Sequence, residues 1–278
     1  MAAGLQVYKE DGSQLFDTEK ITYGLLKSGY LSLQTSWPRL LLKSGQLDPN
    51  DGGNWTEDTS RMEPVLGFSV TGAVAPIVFI SGDGCPAGSS RSGSTTTFYF
   101  VGCSTTTKYY YFDTMRDTLS GAGLKTFRES DGVLTFNSLQ YPLNIVAAVQ
   151  PPAPGTPYTP GYWTSPYNGG VTTNGALISG APANIVSRVT VPISAGEFAA
   201  AITFTRGCGI WGSNYYPYTV AASEGAGGVS GGVRFMFSVA TRTTQLAGNA
   251  TVNLYFDIPS VRPTALIIRT ENLPFPFN

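Results

Sequence analysis

The chain has 278 residues, a net charge of −1, 13% charged residues and no histidine. Its 42% hydrophobic content indicates a globular protein. Because the net charge is close to zero, we expect no basic surface of the kind that nucleic-acid binding requires. The absence of histidine excludes Ser-His-Asp, Cys-His and HExxH catalytic arrangements. Because the longest apolar stretch is short and interrupted and no basic leader precedes it, we expect neither membrane insertion nor secretion.

The chain opens with a predicted β-hairpin. An Asp-Gly dipeptide at 11–12 supplies the positive φ angles of a tight turn between two apolar segments. Residues 123–138 repeat the pattern of residues 4–18, with Ser130 inserted, and place a second Asp-Gly dipeptide at 131–132. The tight turns and the expected burial of the phenylalanines explain the residues of both hairpins, so we interpret the hairpins as structural elements and not as binding sites.

Three further blocks recur in the same chain order. Residues 79–82 are matched by 204–207, 98–100 by 235–237 and 111–113 by 255–257. The offset between copies grows along the chain, as loop insertions into the second copy of a tandem duplication would make it. Alternatively, a chain rich in aromatic strands and Asp-Gly turns simply resembles itself. We predict an all-β fold of two tandem sandwich-like domains arising from an internal duplication, over 1–120 and 121–278.

Segments rich in β-branched and aromatic residues predict the individual strands. These lie at 66–72, 76–81, 96–103 and 107–113 in the first domain, and at 141–149, 184–193, 199–206, 217–222, 232–241, 250–257 and 264–270 in the second. Residues 48–60 are interpreted as a polar loop and 82–94 as a Gly/Ser-rich turn. A short helical turn is expected near 114–119.

The second domain departs from the first in two expanded regions, 150–170 and 207–232. The first is a stiff Pro-rich loop, and the second contains the aromatic run CGIWGSNYYPY. Tyr and Trp on rigid loops offer a large amphipathic contact area, which favours a binding surface; alternatively, the rings fold back over the core of their own domain. The candidate binding residues are Tyr158, Tyr162, Trp163, Tyr167, Trp211, Tyr215, Tyr216 and Tyr218.

Carboxylates form a second group of candidates. Glycosidic cleavage requires two carboxyl groups about 5–10 Å apart, one of them with a raised pKa. The acids considered for this role are Glu57, Asp58, Glu63, Glu197 and Glu224. Isolated acids in polar loops are usually only solvated, so we expect no catalytic residue.

No metal or cofactor is expected. The oxygen-rich segment 48–54 has features of a calcium loop but lacks the bidentate Glu of an EF-hand. Cys85, Cys103 and Cys208 have no metal-like spacing. Cys85 and Cys103 are close enough in sequence to pair, but three buried thiols in a reducing compartment are the preferred interpretation.

A hairpin of the form Gly-Leu-x-Val-aromatic…Asp-Gly…Phe-Asp-Thr leads the chain. Its residues are Gly4, Leu5, Val7, Tyr8, Asp11, Gly12, Phe16, Asp17 and Thr18. The pattern resembles that of small tail-tip and fibre-associated structural proteins of long-tailed bacteriophages. The resemblance implies a non-enzymatic virion protein of the tail tip, baseplate or fibre, assembled in the bacterial cytoplasm and involved in binding the host receptor.

The same resemblance implies the partners. These are other tail proteins, further copies in a homotrimer or other ring-like multimer, and a host-surface glycan or protein. The first domain is then the expected attachment module, and the second, with its aromatic insertions, is the receptor-facing one. The alternatives are a tail-associated polysaccharide-degrading enzyme of the glycosidase class and a carbohydrate-binding module.

Overall fold

The all-β prediction is confirmed by the structure, a computed structural model. It describes residues 6–8, 10–12, 14–17, 19–43, 52–117, 121–174, 177–178, 181–182, 184–212, 218–246 and 253–278. Within these ranges the chain forms β-strands and one 3₁₀ turn at Gly52–Asn54, and no α-helix.

The strands are numbered in chain order. The first part of the chain contains β1 (Gln6–Tyr8), β2 (Gln14–Asp17), β3 (Tyr23–Tyr30), β4 (Ser32–Leu42), β5 (Trp55–Thr71), β6 (Ile77–Ser81), β7 (Cys85–Ser92), β8 (Thr95–Val101) and β9 (Lys108–Thr114). The second part contains β10 (Lys125–Phe127), β11 (Leu134–Asn137), β12 (Ala147–Val149), β13 (Tyr162–Trp163), β14 (Val171–Asn174), β15 (Leu177–Ile178), β16 (Ala181–Pro182), β17 (Ile185–Pro192), β18 (Phe198–Ile202), β19 (Gly207–Gly212), β20 (Tyr218–Val229), β21 (Gly232–Ser238), β22 (Thr243–Leu246), β23 (Leu254–Phe256) and β24 (Ala265–Arg269).

The first unit, formed by β3 to β9, is a sandwich of two antiparallel sheets. One sheet has the order β3–β9–β6 and the other β4–β5–β8–β7. Alternate side chains of the facing sheets meet in the core, where the ring of Phe68 in β5 stacks on Tyr109 in β9 at 3.8 Å between centroids. Buried Leu66 and Phe100 extend this core.

The second unit, formed by β12 to β24, repeats the same strand pairings in the same chain order. Its sheets contain β12–β24–β18 and β14–β17–β21–β20. Strands β12, β14, β17, β18, β20, β21 and β24 are therefore the counterparts of β3 to β9. A duplication predicts such a repeat, and the duplication itself stays a prediction.

The repeated topology corrects two of the aligned blocks. Residues 98–100 and 235–237 lie in counterpart strands, β8 and β21. Residues 204–207, however, lie beyond the end of β18, which is the counterpart of β6. Residues 255–257 lie in and after β23, whereas β9 corresponds to β24.

Both predicted hairpins form, and they match residue for residue. The paired residues are Gln6 with Asp17, Val7 with Phe16 and Tyr8 with Gln14 in the first, and Lys125 with Asn137, Thr126 with Phe136 and Phe127 with Leu134 in the second. The register shifts at the same step in each hairpin. Gly12 and Gly132 have φ angles of +78° and +69°, as the Asp-Gly turns require. The apolar side chains are not all buried, because Phe127 is 50% exposed.

The two units share buried surface along a seam. Buried Val65 and Val101 of the first unit cluster with Val186 and Met236 of the second. The amide of Gly82 donates to the carbonyl of Gly228 at 2.8 Å. The units are therefore joined by apolar packing and by backbone hydrogen bonds.

Glycines in β20 allow the close approach of the two backbones at this seam. A Cβ atom on Gly227 would lie 1.9 Å from the carbonyl oxygen of Gly82, and one on Gly225 would lie 2.2 Å from that of Gly84. Beside these contacts Asp83 forms ion pairs with Arg188 at 2.8 Å and with Arg234 at 3.1 Å. The seam therefore admits no side chain at Gly225 or Gly227.

The C-terminal segment returns to the first unit. The amide of Ser28 in β3 donates to the carbonyl of Phe277 at 2.8 Å, and the hydroxyl of Ser28 donates to the carbonyl of Pro274 at 2.7 Å. The Phe275 ring meets Tyr30 edge-on at 4.9 Å. Part of the outer edge of β3 is covered in this way.

Three local predictions need correction. The expected polar loop over 48–60 ends early, since β5 begins at Trp55. The Gly/Ser-rich turn over 82–94 contains a strand, β7, which pairs with β8. The residues of 114–119 that the structure describes form no helical turn, and 118–120 lie outside the described ranges.

Candidate functional site

The Pro-rich loop over 150–170 is organised by a tight turn. In the run Thr159 to Tyr162, the amide of Tyr162 donates to the carbonyl of Thr159 at 2.9 Å, and Gly161 has a φ of +84°. Pro at the second position and Gly at the third are the residues that a type II turn favours. The turn leads directly into β13.

Strand β13 brings the first insertion against the second. Tyr162 pairs with Phe256 of β23, and on the other side of β23 Leu254 pairs with Trp211 of β19. The ring centroid of Tyr162 lies 5.7 Å from that of Phe256 and 6.4 Å from that of Trp211. We call these three half-buried rings, Tyr162, Trp211 and Phe256, the aromatic platform.

Strand alternation directs the platform outward. In β19, Cys208 and Ile210 are buried in the core, whereas Gly209 and Trp211 lie on the opposite face. A Cβ atom on Gly209 would lie 2.2 Å from the Phe256 ring. The ring therefore lies directly over the backbone of β19, in space that only glycine leaves open.

The platform suits contact with an apolar surface of a ligand or partner. Aromatic rings carry a large apolar area with few rotatable bonds, so that little conformational entropy is lost when they bind. Because paired strands hold these rings, the platform is formed before any ligand arrives.

Tyr167 belongs to the core and not to a binding surface, which corrects its prediction as a contact residue. It is 1% exposed, and its hydroxyl donates to Glu224 at 2.8 Å. Arg206 holds the same carboxylate through its Nε at 2.6 Å and its Nη2 at 2.8 Å. Burial, and then the neighbouring Glu224 carboxylate, raise the pKa of Tyr167 well above its ordinary value. Tyr167 thus anchors the end of the Pro-rich loop.

Only two of the remaining candidates have described side chains. Tyr158 is 61% exposed, and Trp163 is half-buried in β13. Tyr215 and Tyr216 lie outside the described residues, and Tyr218 begins β20 with only its backbone described.

Phe256 was not singled out from the sequence. It lies in the block 255–257, within the strand predicted over 250–257. The alternation of small and apolar residues in the run GCGIWG was the one local signal of an outward face at this place.

Three of the candidate carboxylates are held by arginine. Glu224 is fully buried against Arg206, Asp58 lies 3.1 Å from Arg61, and Glu63 pairs with Arg39. Glu57 is exposed in β5, and Glu197, which precedes β18, is exposed as well. The structure therefore gives Asp58, Glu63 and Glu224 charge partners within the fold.

Comparisons with protein-family models, with curated proteins and with solved structures gave no match. In the described ranges, no three Cys, Asp or Glu side chains are grouped as a metal site requires, and most of the segment 48–54 lies outside them. Nor does any helix there have the length and apolarity needed to cross a membrane.

Proposed function

We propose that the protein is a non-enzymatic structural protein of a bacteriophage virion, placed in the tail tip, baseplate or fibre, and that its second unit binds the host receptor. The resemblance of the leading hairpin to tail-tip and fibre-associated proteins supports the placement. The aromatic platform supports the binding role. Its ligand is a host-surface glycan or protein that offers an apolar face to the rings.

The convergence of two insertions carries this proposal. The loop over 150–170 supplies Tyr162 and the region 207–232 supplies Trp211, and β23 lies between them. The first unit has no counterpart of β13, β19 or β23 among its described strands. Strands β19 and β23 bury Cys208, Ile210 and Tyr255 in the core, and their outer face carries the platform rings, which gives the second unit additional contact surface. The first unit is then the attachment module.

Substitution of the platform tests the binding role. We expect Trp211→Ala and Tyr162→Ala each to reduce adsorption of the phage to host cells about tenfold or more, because aromatic anchors dominate binding energy. Phe204→Ala is the matched control, since Phe204 is 43% exposed in the second unit and lies outside the platform. Particle number, counted by electron microscopy, should not change. Normal adsorption of both platform variants would contradict the proposal.

The glycosidase alternative has a separate test. Release of reducing ends from host polysaccharide by the purified protein would overturn the non-enzymatic assignment. Glu224 is fully buried in its ion pair with Arg206, and Glu63 is paired with Arg39. A general acid in glycoside hydrolysis needs access to the substrate, so these contacts favour structural roles for both acids.

A further inference from the structure

The second hairpin, β10–β11, is seated on the first unit. Thr135 and Asn137 of β11 are 0% exposed. The carbonyl of Thr135 accepts a hydrogen bond of 2.8 Å from the amide of Thr22, and the side-chain amide of Asn137 donates to the carbonyl of Arg116 at 3.2 Å. Buried polar residues whose hydrogen bonds are all made in this way indicate a specific contact site for the hairpin, which we call its seat.

The chain that follows this hairpin covers the outer edge of β3. Gln140 is 5% exposed and accepts from the amide of Arg116 at 2.8 Å. The amide of Leu25 donates to the carbonyl of Tyr141 at 2.8 Å, and the amide of Leu143 donates to that of Tyr23 at 2.9 Å. Hairpin and following segment together close the edge of the first unit.

The first hairpin, β1–β2, has the same register as the second. Among the described residues, β1 and β2 form strand pairs only with each other. Lys20, at the position of Gln140, has a side chain that is 70% exposed.

The second unit presents the counterpart of the covered edge. Strand β12 corresponds to β3, and within the described part of the chain it pairs only with β24. Ile145 and Val146, which lead into it, are 43% and 40% exposed, and Ala148 within it is also exposed. An open strand edge with apolar side chains is a site for pairing with another chain.

We propose that the first hairpin of one copy, with residues 19–21 that follow it, seats on the β12 edge of a second copy, as the second hairpin seats on the β3 edge within one chain. The contact joins two different surfaces, so it repeats head to tail and produces a ring or an open filament. This inference does not rest on the proposed function, since it follows from the two hairpins and the two edges alone.

Lysine substitutions in the full chain test each surface. Leu15 has the register position of the buried Thr135, and Val146, with a side chain that is 40% exposed, leads into β12. We expect Leu15→Lys and Val146→Lys each to convert the multimer to a monomer in light scattering coupled to size-exclusion chromatography. Leu124→Lys and Val261→Lys are matched controls at positions 56% and 68% exposed outside both surfaces, and they should retain the multimer.

Mixing the two defective variants distinguishes head-to-tail assembly from other contacts. Each variant keeps the surface that the other has lost, so the mixture should form a 1:1 dimer and nothing larger. A dimer also shows that both variants remain folded. A monomeric wild-type protein, a multimer that survives Leu15→Lys, or a mixture that stays monomeric would each overturn the proposal.

Discussion

The hydroxyl of Tyr167 donates a hydrogen bond of 2.8 Å to the carboxylate of Glu224, and neither side chain is open to solvent. The same carboxylate is held from its other side by Arg206. A charged pair in a core is stable only when its remaining hydrogen-bonding positions are filled, and Tyr167 fills one of them. The Pro-rich loop is therefore tied to the core at the end opposite to its exposed turn.

Removal of this hydroxyl should weaken the fold. We expect Tyr167→Phe to lower the free energy of unfolding by about 1.5–3 kcal/mol, the usual worth of a hydrogen bond to a charged group. Urea denaturation measures the change as a lower midpoint with an unchanged slope. Tyr158→Phe, at a position 61% exposed, should stay within about 0.5 kcal/mol of the wild type. Equal stability of Tyr167→Phe and wild type would contradict the anchoring role.

The platform geometry depends on Gly209. A Cβ atom there would lie 2.2 Å from the Phe256 ring, so we expect Gly209→Ala to displace this ring and to reduce adsorption to host cells as the platform substitutions do. Gly207→Ala is the control in the same strand, because its Cβ atom would have its nearest contact at 3.7 Å. If both alanine variants adsorb equally well, the ring stack is not part of the binding surface.

Local chemistry made much of the fold predictable. The Asp-Gly turns specify both hairpins through a backbone conformation that few residues adopt, and Gly12 and Gly132 have it. Strands such as β9 and β21 were predictable because their β-branched and aromatic residues suit a pleated surface. These signals are contained within about ten residues of chain.

Features that depend on distant neighbours were not predictable. Strand β7 is rich in Gly and Ser, and it is a strand because it pairs with β8. Tyr167 and Tyr162 lie in one Pro-rich loop with similar neighbours, yet one is in the core and the other in the platform. What separates them is Glu224, 57 residues away from Tyr167, and the pairing of β13 with β23. No local pattern carries that information.

The seam should make the two units unfold together. We expect one cooperative transition in a calorimetric scan, because buried clusters are shared across the units. Gly227→Ala would force a Cβ atom to 1.9 Å from the carbonyl oxygen of Gly82, at a cost of about 1–3 kcal/mol or more. In the Gly227→Ala variant the whole transition should move to lower temperature. The control variant Gly207→Ala should unfold at the wild-type temperature. Two transitions of which only one moves would contradict a common core.

The three thiols should be unreactive in the folded protein. Cys85, Cys103 and Cys208 are all free, and burial raises the pKa of Cys103 to about 12 and raises those of Cys85 and Cys208 as well. Since the thiolate is the nucleophile, we expect negligible reaction with an aromatic disulfide reagent at pH 8, and three reactive thiols after denaturation. Cys103, which is partly exposed, should react first as urea is added. Fewer than three thiols in the denatured, unreduced protein would indicate a disulfide.

The buried carboxylate of Asp113 should give the protein an acid-dependent stability. Asp113 is 0% exposed and accepts hydrogen bonds from the Tyr111 hydroxyl at 2.6 Å and from the amides of Val74, Ala75 and Thr114 at 2.8–2.9 Å. Burial alone would raise the pKa of Asp113, but these hydrogen bonds outweigh it and hold the pKa below its ordinary value.

A carboxyl group whose pKa is lower in the folded than in the unfolded chain stabilises the fold above the unfolded value of about 3.9, and this contribution is lost as the pH falls through the folded value. We therefore expect Asp113→Asn to be less stable than the wild type by about 2 kcal/mol or more at neutral pH, and this difference to shrink as the pH falls from about 5 to about 2. Urea denaturation across that range measures it. The control is Asp117→Asn, at a side chain that is 50% exposed, and its free energy of unfolding should change with pH as that of the wild type does. A difference for Asp113→Asn that is constant with pH would show that the charge of Asp113 does not contribute to stability.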